Sequence, residues 1–255
     1  MKKIISIVLA VITLLSVLSL TSCEKKPLDM LQEAAKVLNE VPYSMTLKIS
    51  AETENSELQS VLNAVNVEMP ITYDGNNLKM NMSMNLMEQP VDFTMSLVDE
   101  VLYYDMSMMG IPVKMKATLT EDEIAQFRSN SNTEMPINYT QFAKLEAKTD
   151  NGKTIITCSD INEEGKKAMN EQMFAYLEDL GSSAELNRLS YIITLKDGKY
   201  EAVDISCDYT ISVEGISVVI TSTMGATYSY DNIDAITAPA DADSYTEVSF
   251  SDLLG

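Results

Sequence analysis

Apolar and polar side chains alternate with a period of two over most of residues 43–119, broken only at turn residues. In the stretch LKMNMSMNL, Leu78, Met80, Met82, Met84 and Leu86 alternate with Lys79, Asn81, Ser83 and Asn85. The same rhythm runs through Tyr43, Met45, Leu47, Ile49 and Ala51, and through Val91, Phe93, Met95 and Leu97. It continues through Leu102, Tyr104, Met106 and Met108, then Val113, Met115, Ala117 and Leu119. Successive strand residues point to opposite faces, so each of these strands buries one face only, which is the signature of an antiparallel sheet. Asp74-Gly75-Asn76-Asn77 reads as a hairpin turn, and Gly110-Ile111-Pro112 turns the chain again. A sheet of about ten such strands curls strongly or splits in two.

Helices are few in this reading. Asp29, with Gln32 three residues on, looks like an N-cap for a short amphipathic helix running to about Glu40. Residues 55–66 fit a helix through Leu58, Val61 and Leu62, and a strand through Val65, Val67, Met69 and Ile71. Thr120 and Glu123 form a capping box, and Asn162 caps a longer helix whose apolar positions are Met169, Met173, Tyr176, Leu177 and Leu180. A hairpin is expected over about 141–161, around Asp150-Asn151-Gly152. A closing meander is expected over 189–197, 199–213, 216–224 and 226–233, turned at Asp197-Gly198, Glu214-Gly215 and Gly225. The acidic tail beyond Pro239 reads as peripheral. The expected fold class is α+β: a single curved antiparallel sheet with a few helices packed on its concave face.

The first residues speak to address. Met1-Lys2-Lys3 is a basic start, and Ile4 to Leu20 is apolar apart from Ser and Thr. That order reads as a secretory signal. Leu20-Thr21-Ser22-Cys23 resembles the bacterial lipobox at all four positions. The resemblance implies cleavage before Cys23, a diacylglycerol on its sulfur and acylation of the new amino terminus. Two or more acyl chains anchor stably where one does not. The expected organisation is a signal peptide at 1–22, a lipidated tether at 23–27, one domain at 28–240 and the acidic tail at 241–255. Extended, the four residues after Cys23 reach about 14 Å, which holds the body close to a cell-envelope membrane.

Charge and composition exclude several classes. The chain carries 18 Lys and Arg against 38 Asp and Glu, a net −20, and loss of Lys2 and Lys3 with the signal takes it to −22. Such a surface repels nucleic acid. There is no histidine, so histidine triads, histidine metal sites and the usual near-neutral base are absent. No nucleophile elbow, zinc-protease motif, phosphate loop or dinucleotide fingerprint is present, and no cofactor is implied. The chain reads as a non-enzyme. Cys158 and Cys207 lie in separate apparent strands and read as free, buried thiols, with a disulfide, which an exported compartment permits, as the alternative.

The order of lipobox, N-terminal helix, strand meander, mid-chain helices and further strands resembles the LolA/LolB-like half-barrel of bacterial lipoprotein carriers, in the style of the LppX/LprG type. In that family the half-barrel holds acyl chains between sheet and helices. Carried here, the resemblance implies an apolar-ligand site lined by Met80, Met82, Met84, Phe93, Met95, Tyr104, Met106, Met108 and Met115. The methionine stripe admits three readings. It is ordinary core, with methionine as adaptable filler; it is the wall of a groove for a varied apolar guest; or it is a thioether set selecting Cu(I). Burying a CH₂ is worth about 0.8 kcal/mol, so only a groove that shelters most of a chain can hold a lipid; the helix at 162–180 is the expected cover. The expected role is binding or transfer of an apolar ligand such as lipid, with the membrane engaged through the anchor. A structural lipoprotein with a filled core, and a Cu(I)-handling one, are the alternatives.

Overall fold

The computed structural model describes residues 26–63, 66–86, 89–108, 110–131, 141–179, 182–213 and 216–254; the signal segment and Cys23 lie outside these. The chain opens with α1 (Pro27–Glu40), β1 (Tyr43–Thr53), α2 (Ser56–Leu62) and β2 (Val67–Tyr73). A meander follows: β3 (Leu78–Leu86), β4 (Gln89–Val98), β5 (Val101–Met108) and β6 (Ile111–Thr118). Then come α3 (Glu121–Ser131), β7 (Phe142–Asp150), β8 (Lys153–Ile161) and α4 (Glu163–Asp179). Long strands β9 (Ser182–Lys196), β10 (Lys199–Val213) and β11 (Ile216–Ser229) precede a short arm with β12 (Thr246–Glu247) and α5 (Phe250–Leu254).

All twelve strands form one open, curved sheet in the order β12-β6-β5-β4-β3-β2-β1-β11-β10-β9-β8-β7. Its centre is the seam between β1 and β11, where Ser44 faces Ser229 and Thr53 faces Ile220. Every pair among β1–β11 is antiparallel, as the alternation requires. The expected purely antiparallel sheet needs one correction: β12 runs parallel to β6, pairing Thr246 with Met115 and Glu247 with Lys116. The α+β class stands, as one large sheet with a few short helices.

Several local expectations also change. Gly225 does not turn the chain; β11 runs straight through it, opposite Lys48 and Asp204. The segment with two readings resolves as both, a helix over Ser56–Leu62 and then a strand over Val67–Tyr73. Asp29 is not the cap of α1: the cap is Lys26, with no side-chain bond, Pro27 supplies the preset first turn, and Asp29 sits within that turn. The Thr120–Glu123 capping box is present, with Thr120 N–H donating to the Glu123 carboxylate at 2.8 Å and Glu123 N–H to Thr120 Oγ1 at 3.3 Å. Asn162 Oδ1 caps α4 by accepting from Gly165 N–H at 2.8 Å.

The tail is joined to the body. Ile236 and Tyr245 pack with Val98 and Tyr103 on one face, and Phe250 enters a cluster with Leu97, Leu102, Ala117, Leu119 and Phe127 on the other. The main core lies where α1 buries Leu31, Ala34 and Leu38 against Ile156, Leu186, Ile193 and Val203 of β8–β10. Cys158 and Cys207 are free and buried there. They stand on β8 and β10 with β9 between, a separation of two strand spacings or about 9.6 Å, beyond disulfide reach. Burial pushes both thiols up to about 11.

Candidate functional site: a half-covered apolar face

Register places the methionine stripes side by side. Met80, Met82 and Met84 on β3 face Met95, Phe93 and Val91 on β4. Met95 and Phe93 face Tyr104 and Met106 on β5, and these face Met115 and Val113 on β6. Paired residues in an antiparallel ladder share a face, so the sequence-derived set stands on one side of β3–β6. Met108 belongs to the same ladder, paired with Val91 and Ile111. The stripe extends onto strands that the motif reading left out: Met69 and Val67 on β2, and Leu47 and Ile49 on β1. Met69 was legible only as one arm of the ambiguous segment, and Met224, which faces Ile49 across the seam, stands on a strand that the motif reading did not join to β1.

Burial is uneven along the strands: it falls at most positions of this face, but Val91, paired with Met84 and Met108, is 7% exposed. At one end Leu97, Leu102 and Ala117 are at most 3% exposed, because α3 and α5 bring Phe127 and Phe250 onto them. One step further, Met80 and Met95 are half-buried and touch the two clusters at their margins. Met82, Met84, Phe93, Tyr104, Met106 and Met115 are half-buried and belong to none of the three buried clusters among the described residues. At the far end Ile111 is 66% exposed. The expected cover does not lie here: α4 packs on β9, with Leu186 N–H donating to Asn170 Oδ1 at 2.8 Å, at the other side of the seam.

The aromatic pair within the stripe is ordered. The Phe93 and Tyr104 rings meet edge to face at 4.8 Å, and the Tyr104 hydroxyl donates to Met106 Sδ at 3.7 Å. A phenol that turns to a weak thioether acceptor has an apolar setting around it. One cavity among the described residues, of about 550 Å³, touches the covered end of this face at Leu97 beside α3; the others open elsewhere. One of about 630 Å³ is a hollow on the opposite face, where Gly225 lacks a side chain between Lys48 and Asp204.

A family model spans residues 27–246, which takes in all of β1–β11, including the methionine face. The chain belongs to DUF6612, a family of unknown function. No curated protein matches this DUF6612 chain. Among solved structures, the ywiB protein from Bacillus subtilis aligns over 74% of this chain and 92% of its own, at 9% identity and a TM-score of 0.19. GphF Dehydratase 1 aligns over 73% and 76%, at 7% identity and a TM-score of 0.13. Likenesses this weak carry no argument about what a DUF6612 chain does.

Proposed function

We propose that this protein is a non-catalytic, membrane-anchored envelope lipoprotein that binds or transfers an apolar ligand of lipid type on the methionine face. One observation carries the reading. Among the described residues, a contiguous apolar surface over β3–β6 is left half-covered although α3 and α5 fill one end of it, at Leu97, Leu102 and Ala117. Soluble monomers rarely expose such patches without a ligand or partner to take them. Methionine suits a varied guest, being unbranched and polarizable. The lipobox-like Leu20-Thr21-Ser22-Cys23 supports the anchor, and the open curved sheet supports a half-barrel carrier of the LolA-like kind.

The test is direct. The protein is purified from the native envelope in mild detergent and its non-covalently bound lipid extracted into organic solvent for mass spectrometry, in parallel with titration of a fluorescent lipid probe. The expected outcome is a co-purified acyl lipid and saturable probe binding. Protein that carries no lipid and binds no probe removes the reading.

A further inference from the structure

Charge is sorted completely across β1–β6. The side bearing the methionines carries Tyr43, Leu47 and Ile71, which join the main core, and Met82, Phe93 and Val113 on the half-covered part, with their register neighbours and no Lys, Arg, Asp or Glu at any described position. The opposite face of the same strands carries Lys48, Glu52, Glu68, Lys79, Asp92, Asp105, Lys114 and Lys116. Both signs are thus available to these strands, and both are confined to one side.

An ionised headgroup drawn onto the apolar face would lose water and gain no counter-charge, a penalty that far exceeds the loss of any one methylene contact. The wider field points the same way: a body of net charge near −22 repels anionic amphiphiles approaching from solvent. Reach is also bounded. The half-covered part of the face is β3–β6, about 14 Å across at ordinary strand spacing, because Tyr43, Met45 and Ile71 of β1 and β2 belong to the main core; this is close to the roughly 15 Å depth of one bilayer leaflet's hydrocarbon. A guest's acyl chain can lie along these strands, where the described positions of the face are uncharged as far as Met84 and Ile111.

Building on the proposed apolar-ligand role, we propose that the site selects an uncharged acyl lipid, an ester or acylglycerol, and rejects free fatty acids and anionic phospholipids. The face admits the chain; the want of a cation among its described strand positions excludes the charged head.

Oleate, methyl oleate and monoolein share one acyl chain and differ in head charge. Each is titrated at pH 8.5 against a neutral fluorescent acyl probe bound to residues 24–255, below its micellar concentration. Methyl oleate and monoolein are expected to displace the probe at concentrations about tenfold or more below oleate. Met84→Lys, at the half-exposed end of β3, places one cation beside the guest and is expected to restore oleate binding; Met84→Gln is expected not to. Oleate that binds as tightly as its ester, in a protein that binds both, overturns the selectivity and leaves the apolar-ligand role standing. A protein that binds none of the three, nor the probe, overturns the apolar-ligand role itself and the selectivity with it.

Discussion

Met82 is the side chain on which the two main readings of the stripe diverge. It faces Phe93 and stays half-buried in none of the buried clusters. Met82→Leu keeps volume and apolarity and is expected to cost less than about 1.5 kcal/mol. Met82→Glu in a filled interior would bury an unpaired carboxylate and collapse the fold. On a half-open face the carboxylate stays hydrated, so we expect the melting temperature to fall by only a few degrees while probe binding is lost. Melting curves for both variants, read beside probe titrations, decide this; a Met82→Glu chain that no longer folds returns the stripe to ordinary core. Cys23 governs the anchor. Cys23→Ser is expected to abolish incorporation of a labelled fatty acid and to leave the precursor unprocessed; equal labelling of the variant defeats the lipoprotein assignment.

At the level of elements, α4 carries a test in which sequence propensity and packing disagree. Gly165 lies in its first turn, and in an exposed helix Gly→Ala gains about 1 kcal/mol. Here a Cβ would stand 2.7 Å from Gln141 Cβ and 2.9 Å from Ile161 Cγ1, so Gly165→Ala is expected to destabilise by about 1–3 kcal/mol. Asn162→Ala, which removes the cap three residues earlier, is expected to cost about 1 kcal/mol. Chemical denaturation of both variants checks the signs; a stabilised Gly165→Ala chain shows that α4 is not seated against Gln141 as described. Elements of this kind were legible where the signal was local. Period-two stripes announced β1 and β3–β6, and the Thr120–Glu123 and Asn162 caps announced α3 and α4. The signal failed where tertiary pairing decided. Gly225 reads as a turn in isolation, yet β1 and β10 on either side hold it extended. The face of the methionines follows from alternation; how much of it the helices cover does not, since nothing within α4 says that it seats on β9.

For the whole molecule, the arm that leaves β11 is tied back to the sheet at Asp74. Its carboxylate accepts from Asn77 N–H at 2.8 Å and Asn76 N–H at 3.0 Å in the β2–β3 turn, and from Ile236 N–H at 2.8 Å in the arm. Desolvation raises its pKa, but the backbone donors of Asn77, Ile236 and Asn76 together outweigh it and hold the carboxyl below its ordinary value. A carboxyl lowered in the folded state contributes stability above its unfolded pKa of about 3.9, and that contribution is lost as pH falls through the lower folded value. Acid is therefore expected to loosen residues 231–254 before the core. Asp74→Asn should bring the same loosening to neutral pH. Amide exchange along the arm measures it, and an arm as protected in Asp74→Asn as in the wild type contradicts the tie. Further along, Lys114 lies between Asp105 and Asp241 and over the Tyr245 ring, so raised salt should weaken the same arm.

The β1–β11 seam sets the order in which the molecule can assemble. Its Ser50–Thr223 hydroxyl pair joins residues 173 apart. Each flank, β2–β6 and β7–β10, joins sequence neighbours, by short turns except where α4 links β8 to β9, whereas the seam must close a loop of about two thirds of the chain. Folding dominated by such distant contacts is slow. Until β11 docks, both half-sheets display a long unpaired edge beside an apolar face, the combination most prone to joining another molecule's strand. The last long strand to be synthesised is thus the one that seals the first. A chain cut before Ile216 would keep most of its hairpins and still expose two adhesive rims.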